Sequence, residues 1–168
     1  NSFAYKPPVA TDIVRDGNSM WNGPTTGAIS MTIIGENFGT KDAESQAQAG
    51  VGNTICSSTG WTSDSSLGCR MDSGIGGDLD VWVRIACGAY RSSPRYTCRT
   101  TYEATSYGTF TYDRPHLEQV EIEGTAGLAA GRGNQTTLIK GSNFGVFDAP
   151  MRIAIGSTNC SQPVWISD

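Results

Sequence analysis

The chain repeats itself, and the repeat sets the size of the unit it folds into. Gly35-Glu36-Asn37-Phe38-Gly39 returns as Gly141-Ser142-Asn143-Phe144-Gly145. Cys56, followed by Trp61 and Ser63-Asp64, returns as Cys160, Trp165 and Ser167-Asp168. Phe3-Ala4-Tyr5-Lys6-Pro7-Pro8 returns as Phe110-Thr111-Tyr112-Asp113-Arg114-Pro115. All three recur after about 105 residues, the length of an ordinary small domain, so the chain reads as a tandem array. Residues 1–8 form the last strand and linker of a preceding unit, 9–114 a complete unit, and 115–168 the N-terminal half of another.

Within each unit the apolar residues alternate in short runs broken by Gly, Pro, Asn and Asp, and no run carries a 3.6-residue period; the class is all-β. Ile29-Ser30-Met31-Thr32-Ile33 alternates strictly. So does the segment from Val81 to Cys87, with Val81, Val83, Ile85 and Cys87 on one face and Trp82 and Arg84 on the other. Strands are predicted over 9–14, 29–33, 51–56, 66–71, 81–87, 95–99 and 108–112, and in the second copy over 117–122, 136–139 and 151–155. Residues 16–27 read as a turn-rich connection and the Ala/Gln-rich stretch 40–50 as a surface excursion. The glycines at 35 and 39 permit a tight bend, with Phe38 placed to plug the end of the core. Prolines at 7, 8 and 115 end the strand ladders and stiffen the joints between units.

Charge excludes some classes of function. Charged residues make up 17% of the chain, and 16 acids against 12 bases give a net charge of −4, so no basic stripe exists to neutralise nucleic-acid phosphates. No apolar run approaches the roughly 18–20 residues that a membrane-spanning helix needs. The opening Asn1-Ser2-Phe3 lacks the charged start and apolar centre of a signal peptide, as expected of a mature chain or one cut from a longer precursor.

Five cysteines are spaced for pairing. Cys56 with Cys69 and Cys87 with Cys98 suit bridges across adjacent strands, pointing to an oxidising, extracellular or cell-surface location. Zinc is the rival reading, but there is no C-x-x-C pair and His116 is the one histidine. Cys160 is left over; because it aligns with Cys56, its partner is expected near position 173. Asn134-Gln135-Thr136 and Asn159-Cys160-Ser161 are acceptor triplets for N-linked glycan, the second compromised if its central cysteine is bridged.

Together these motifs resemble the IPT/TIG family of immunoglobulin-like domains. The likeness rests on Gly23-Pro24-Thr25-Thr26-Gly27, the alternating strand leading into Gly35-Glu36-Asn37-Phe38-Gly39, the Cys56/Trp61/Ser63-Asp64/Cys69 spacing, and Phe110-Thr111-Tyr112 at the end. The resemblance covers essentially the whole chain and implies tandem immunoglobulin-like β-sandwiches, one complete and one partial. It also implies the settings in which such modules occur: cell-surface receptors, large secreted or ciliary-surface glycoproteins, and accessory domains of some enzymes and transcription factors. The family transfers no catalytic residues, and the basic loops of its DNA-binding branch are missing here.

Other chemistry reads weakly. His116 has no nucleophile placed beside it by any motif, and Asp72, Asp78 and Asp80 lack the spacing of a calcium loop and read as a solvated turn. Trp61 and Trp165 recur at a packing position rather than as a sugar-stacking platform. The outward Trp82 and Arg84, with Tyr90 and Tyr96 about the tip of the 88–96 hairpin, are the candidate contact residues, and Trp21 is similar. The chain thus reads as a non-enzymatic, cofactor-free structural or adhesive repeat protein. Its beads stack on further copies of themselves into a stiff rod or filament. The alternative is a receptor ectodomain module that recognises a surface protein or glycan.

Overall fold

The computed structural model describes residues 6–40, 47–85, 102–122, 135–146 and 151–168. The described residues contain strands and turns and no helix. In chain order the first unit comprises β1 (Val9–Arg15), β2 (Asn18–Ser19), β3 (Asn22–Gly23), β4 (Ser30–Glu36), β5 (Ala47–Val51), β6 (Thr54–Ile55), β7 (Ser58–Ser63), β8 (Ser66–Arg70), β9 (Leu79–Ile85) and β10 (Tyr102–Tyr112). They form two five-stranded sheets, ordered β2-β1-β4-β8-β7 and β3-β10-β9-β5-β6. All pairings are antiparallel except β3 with β10, which is parallel. This is a β-sandwich of the immunoglobulin-like kind.

Alternation builds the core. Met31, Ile33, Leu67 and Cys69 point inward from one sheet, and Ala47, Ala49, Val51, Val81, Val83, Phe110 and Tyr112 from the other; all are buried. Burying a side chain of Val, Leu, Ile or Phe size contributes roughly 1.5–3 kcal/mol, so this set outweighs any single polar contact in the bead. Ala10 and Ile13 are both fully buried although three residues apart, which strict alternation forbids. The β1/β4 register supplies the reason: a bulge between Ala10 and Asp12 resets which side chains face inward.

Three sequence expectations are corrected. The stretch 40–50 is not wholly a surface excursion: residues 47–51 form β5, an interior strand of the second sheet whose alanines face the core. Small alanine side chains gave that strand no visible hydrophobic signal. Residues 58–63, which no expected strand covered, form β7, pairing with β8 from Ser58↔Arg70 to Ser63↔Ser66. Its Ser/Thr/Gly composition reflects an edge strand with little of its surface buried. The expected strand over 51–56 is a tight hairpin in which Gly52, at φ 53°, turns β5 into β6. The expected strand over 95–99 lies outside the described residues.

Beyond Pro115 the chain forms β11 (His116–Ile122), β12 (Thr137–Ser142), β13 (Ala154–Ile155) and β14 (Thr158–Asn159), as two antiparallel pairs. The β11/β12 ladder repeats the β1/β4 ladder position for position. Val9↔Glu36 and Ala10↔Gly35 become His116↔Ser142 and Leu117↔Gly141, and the bulge recurs between Leu117 and Gln119. The burial does not repeat: Leu117 is 60% and Val120 51% exposed where Ala10 and Ile13 are fully buried. No second sheet lies over this hairpin among the described residues.

Tyr112 closes the first core, and its buried phenol is perturbed by that environment. Its hydroxyl donates to the Asp72 carbonyl at 3.3 Å, and its ring lies over Gly74, where a Cβ would come within 2.4 Å of it. Burial pushes the phenol above its ordinary 10.0, opposed by a hydrogen bond with Thr54 and reinforced by the Asp72 charge. The fold therefore favours neutral tyrosine. Its contribution is complete below the unfolded pKa, near 10, and is lost as pH climbs from there through the folded value. Tyr112→Phe is expected to cost about 1 kcal/mol near neutrality and to flatten the alkaline loss of stability. Urea unfolding of both proteins at about pH 8 and about pH 11 checks this.

Candidate functional site

The most elaborated region of the chain is one end of the bead, where the Gly-x-Asn-Phe-Gly turn meets the joint. Gly35 lies so close to β1 that a Cβ there would stand 1.9 Å from the Val9 carbonyl oxygen. Asn37 (φ 62°) and Gly39 (φ 83°) are left-handed, which asparagine and glycine tolerate best. The bend drives Phe38 into the core with no exposure. Asp64, in the β7/β8 turn, clamps it: the Phe38 amide donates to the Asp64 carbonyl and the Gly39 amide to Asp64 Oδ1, both at 2.8 Å. The Trp61 indole N–H donates to the Gly39 carbonyl at 3.2 Å. Asn37 Nδ2 donates to the Pro7 carbonyl at 3.1 Å, tying the incoming linker to the same turn.

The second unit carries most of the same devices. A Cβ on Gly141 would stand 1.9 Å from the His116 carbonyl, Asn143 and Gly145 have φ of 59° and 96°, and the Trp165 N–H donates to the Gly145 carbonyl at 3.2 Å. Asp168 Oδ1 accepts from the Phe144 amide, while its Oδ2 accepts from the Thr25 hydroxyl of the first bead. A cleft lined by Thr25, Gly76, Tyr112, Pro115, Asn143 and Met151 runs along the junction. The recurrence of Ser-Asp was visible in the sequence, whereas nothing local singles out Thr25.

Cys56 and Cys69 form a disulfide with Cα atoms 5.6 Å apart. It joins not adjacent strands but the two sheets, since Cys56 follows β6 of one and Cys69 lies in β8 of the other. Cys160 is half-buried and has no cysteine partner among the described residues, and its amide donates to the Ile153 carbonyl, as that of Cys56 donates to Ala49. Asn159 is exposed in β14. Cys87, Cys98, Tyr90, Tyr96 and Asn134 lie outside the described residues.

Trp82 and Arg84 lie on the face of β9 opposite Val81 and Val83, half-buried rather than projecting freely. The indole rests on Gly50, where a Cβ would meet it at 2.4 Å, and its N–H donates to the Gly52 carbonyl at 2.8 Å. The Arg84 guanidinium sits 5.2 Å from the indole centroid and pairs with Glu103 at 2.8 Å. Trp21 packs over Gly108 against the core. His116 is exposed in β11. Asp72 accepts from the Ser73 amide, the Asp78 amide donates to Thr111 Oγ1 and the Asp80 carbonyl accepts from Gly52, so these aspartates serve turns. No group of three or more potential metal ligands comes together among the described residues.

Comparison with known proteins agrees with this geometry. The IPT/TIG domain family profile matches residues 16–112. Two structures of the plexin A4 extracellular region, one of domains 1 to 8 and one of domains 1 to 10, are similar over 67% of this chain at 23% identity, with a TM-score of 0.45. The chain spans 10% and 9% of their respective lengths. No curated protein matches it. The alternating core, the clamped Gly-Glu-Asn-Phe-Gly turn and the profile match converge: the chain belongs to the IPT/TIG family of immunoglobulin-like domains.

Proposed function

We propose that this chain is part of an extracellular structural or adhesive array, in which IPT/TIG beads follow one another in a stiff rod or filament. One observation carries the reading: the hydrogen-bond register and bulge of the first bead recur in the second, and the second is bonded to the first at Thr25. Repeated units with short Pro-containing joints suit transmission of length and force. The Cys56–Cys69 disulfide fits an extracellular setting, where the acceptor triplets at Asn134 and Asn159 would carry N-linked glycan. Nothing in the reading calls for catalysis or a cofactor, and the partners are further copies of the bead.

The test is electron microscopy of the native protein. An axial repeat on the order of 35 Å per bead is expected from the 11 residues of β10 at about 3.3 Å each. Separate globules with no axial order would refute it. A receptor module that binds protein or glycan is the second reading, supported by the Trp82–Arg84 face. It requires saturable binding that Arg84→Ala abolishes while leaving the fold intact.

A further inference from the structure

One carboxylate reaches across the junction. Thr25 is 3% exposed, the buried polar residue of the first core, so its hydroxyl must find an acceptor. It finds Asp168 Oδ2, from the second unit. The Thr25 carbonyl meanwhile accepts the Gly74 amide at 2.9 Å, which fixes the residue against the loop that borders Tyr112. Asp168 Oδ1 holds the turn of its own unit through the Phe144 amide. The two oxygens of a single side chain thus belong to two beads.

Asp64 is an internal control. It holds the corresponding turn with Oδ1 on the Gly39 amide and its carbonyl on the Phe38 amide, where Asp168 Oδ1 takes the Phe144 amide; Asp64 is exposed and its Oδ2 takes no partner among the described residues, while Asp168 is half-buried. The clamp therefore does not require the second oxygen. In Asp168 that second oxygen engages the neighbouring bead.

We propose that the Ser-Asp step after Trp165 is the coupling surface between consecutive beads, and that the Asp168–Thr25 bond holds them in one alignment. Adjacent domains in a chain move relative to one another unless a contact restrains them. The clamp is suited to the task because it transmits the restraint through Phe144 to the β11/β12 hairpin. This inference rests on the rod reading and supplies its joint.

Residual dipolar couplings of the 168-residue chain test it. Amides of both units in the parent are expected to fit one alignment tensor. In Thr25→Val the second unit needs its own tensor, with a magnitude lower by about half or more. Thr25→Ser, which keeps the hydroxyl, restores the single tensor, and Asp64→Asn leaves it unchanged. Asp168→Ala, a change made in the second unit, is expected to behave as Thr25→Val, and the couplings of the first bead report that it stays folded. A single tensor retained in Thr25→Val or Asp168→Ala overturns the latch and leaves the rod standing. Two tensors in the parent overturn the aligned joint and the rod with it.

Discussion

Gly35→Ala is expected to lower the stability of the first bead by about 3 kcal/mol or more. The new Cβ would stand 1.9 Å from the Val9 carbonyl oxygen and 2.5 Å from Phe38 Cζ. Phe38 could shift, but the carbonyl belongs to the β1/β4 ladder, where Ala10 pairs with Gly35. Relief therefore means parting two strands of one sheet and withdrawing Phe38 from the core. Gly60→Ala is the matched control, since nothing lies within 4 Å of a Cβ there. It is expected to be neutral, or slightly stabilising through the unfolded chain. Gly141→Ala, 1.9 Å from the His116 carbonyl, should disrupt β11/β12 and leave the first bead's unfolding transition in place. Denaturant unfolding followed by tryptophan fluorescence distinguishes the three.

Removing the bridge in a Cys56→Ala, Cys69→Ala chain is expected to cost about 3 kcal/mol. The bridged positions are 13 residues apart, and closing a loop of about 15 residues contributes roughly that much through the unfolded state. For a bead of this size the loss corresponds to a fall in Tm on the order of 15 °C. Because Cys56, which follows β6 of one sheet, and Cys69, in β8 of the other, are both buried, the loss includes packing between the layers as well as chain entropy. Differential scanning calorimetry of the double variant measures it. A change below about 1 kcal/mol would mean that the bridge is incidental to the bead.

Much of this was legible because residue type and environment agreed. The strand over 29–33 was plain since Met31 and Ile33 are large and face inward while their neighbours do not. The turn at 35–39 was plain because its glycines and asparagine take conformations that other residues avoid. Legibility failed where small or polar residues do a buried job. In β5 the core positions are filled by Ala47 and Ala49, which carry little hydrophobic signal. In β7 the backbone pairs with β8 while the side chains remain largely polar and exposed.

The pairing of Cys56 with Cys69 was visible in the spacing, but that it spans two sheets was not: spacing along the chain cannot distinguish a neighbouring strand from one across the core. The bead-to-bead contact was the least legible. Ser167-Asp168 announced itself by repetition, but its partner Thr25 lies 143 residues away, and only folding brings them together.

The claim beneath all of this is that the repeated sequence is a repeated structure. Nuclear Overhauser contacts across β11 and β12 in the intact chain test it most directly. The account predicts cross-strand contacts linking Leu117 with Gly141 and Gln119 with Lys140, matching those linking Ala10 with Gly35 and Asp12 with Ile34, with the same one-residue bulge between them. A register shifted by one residue, or no cross-strand contacts between these segments, would contradict it.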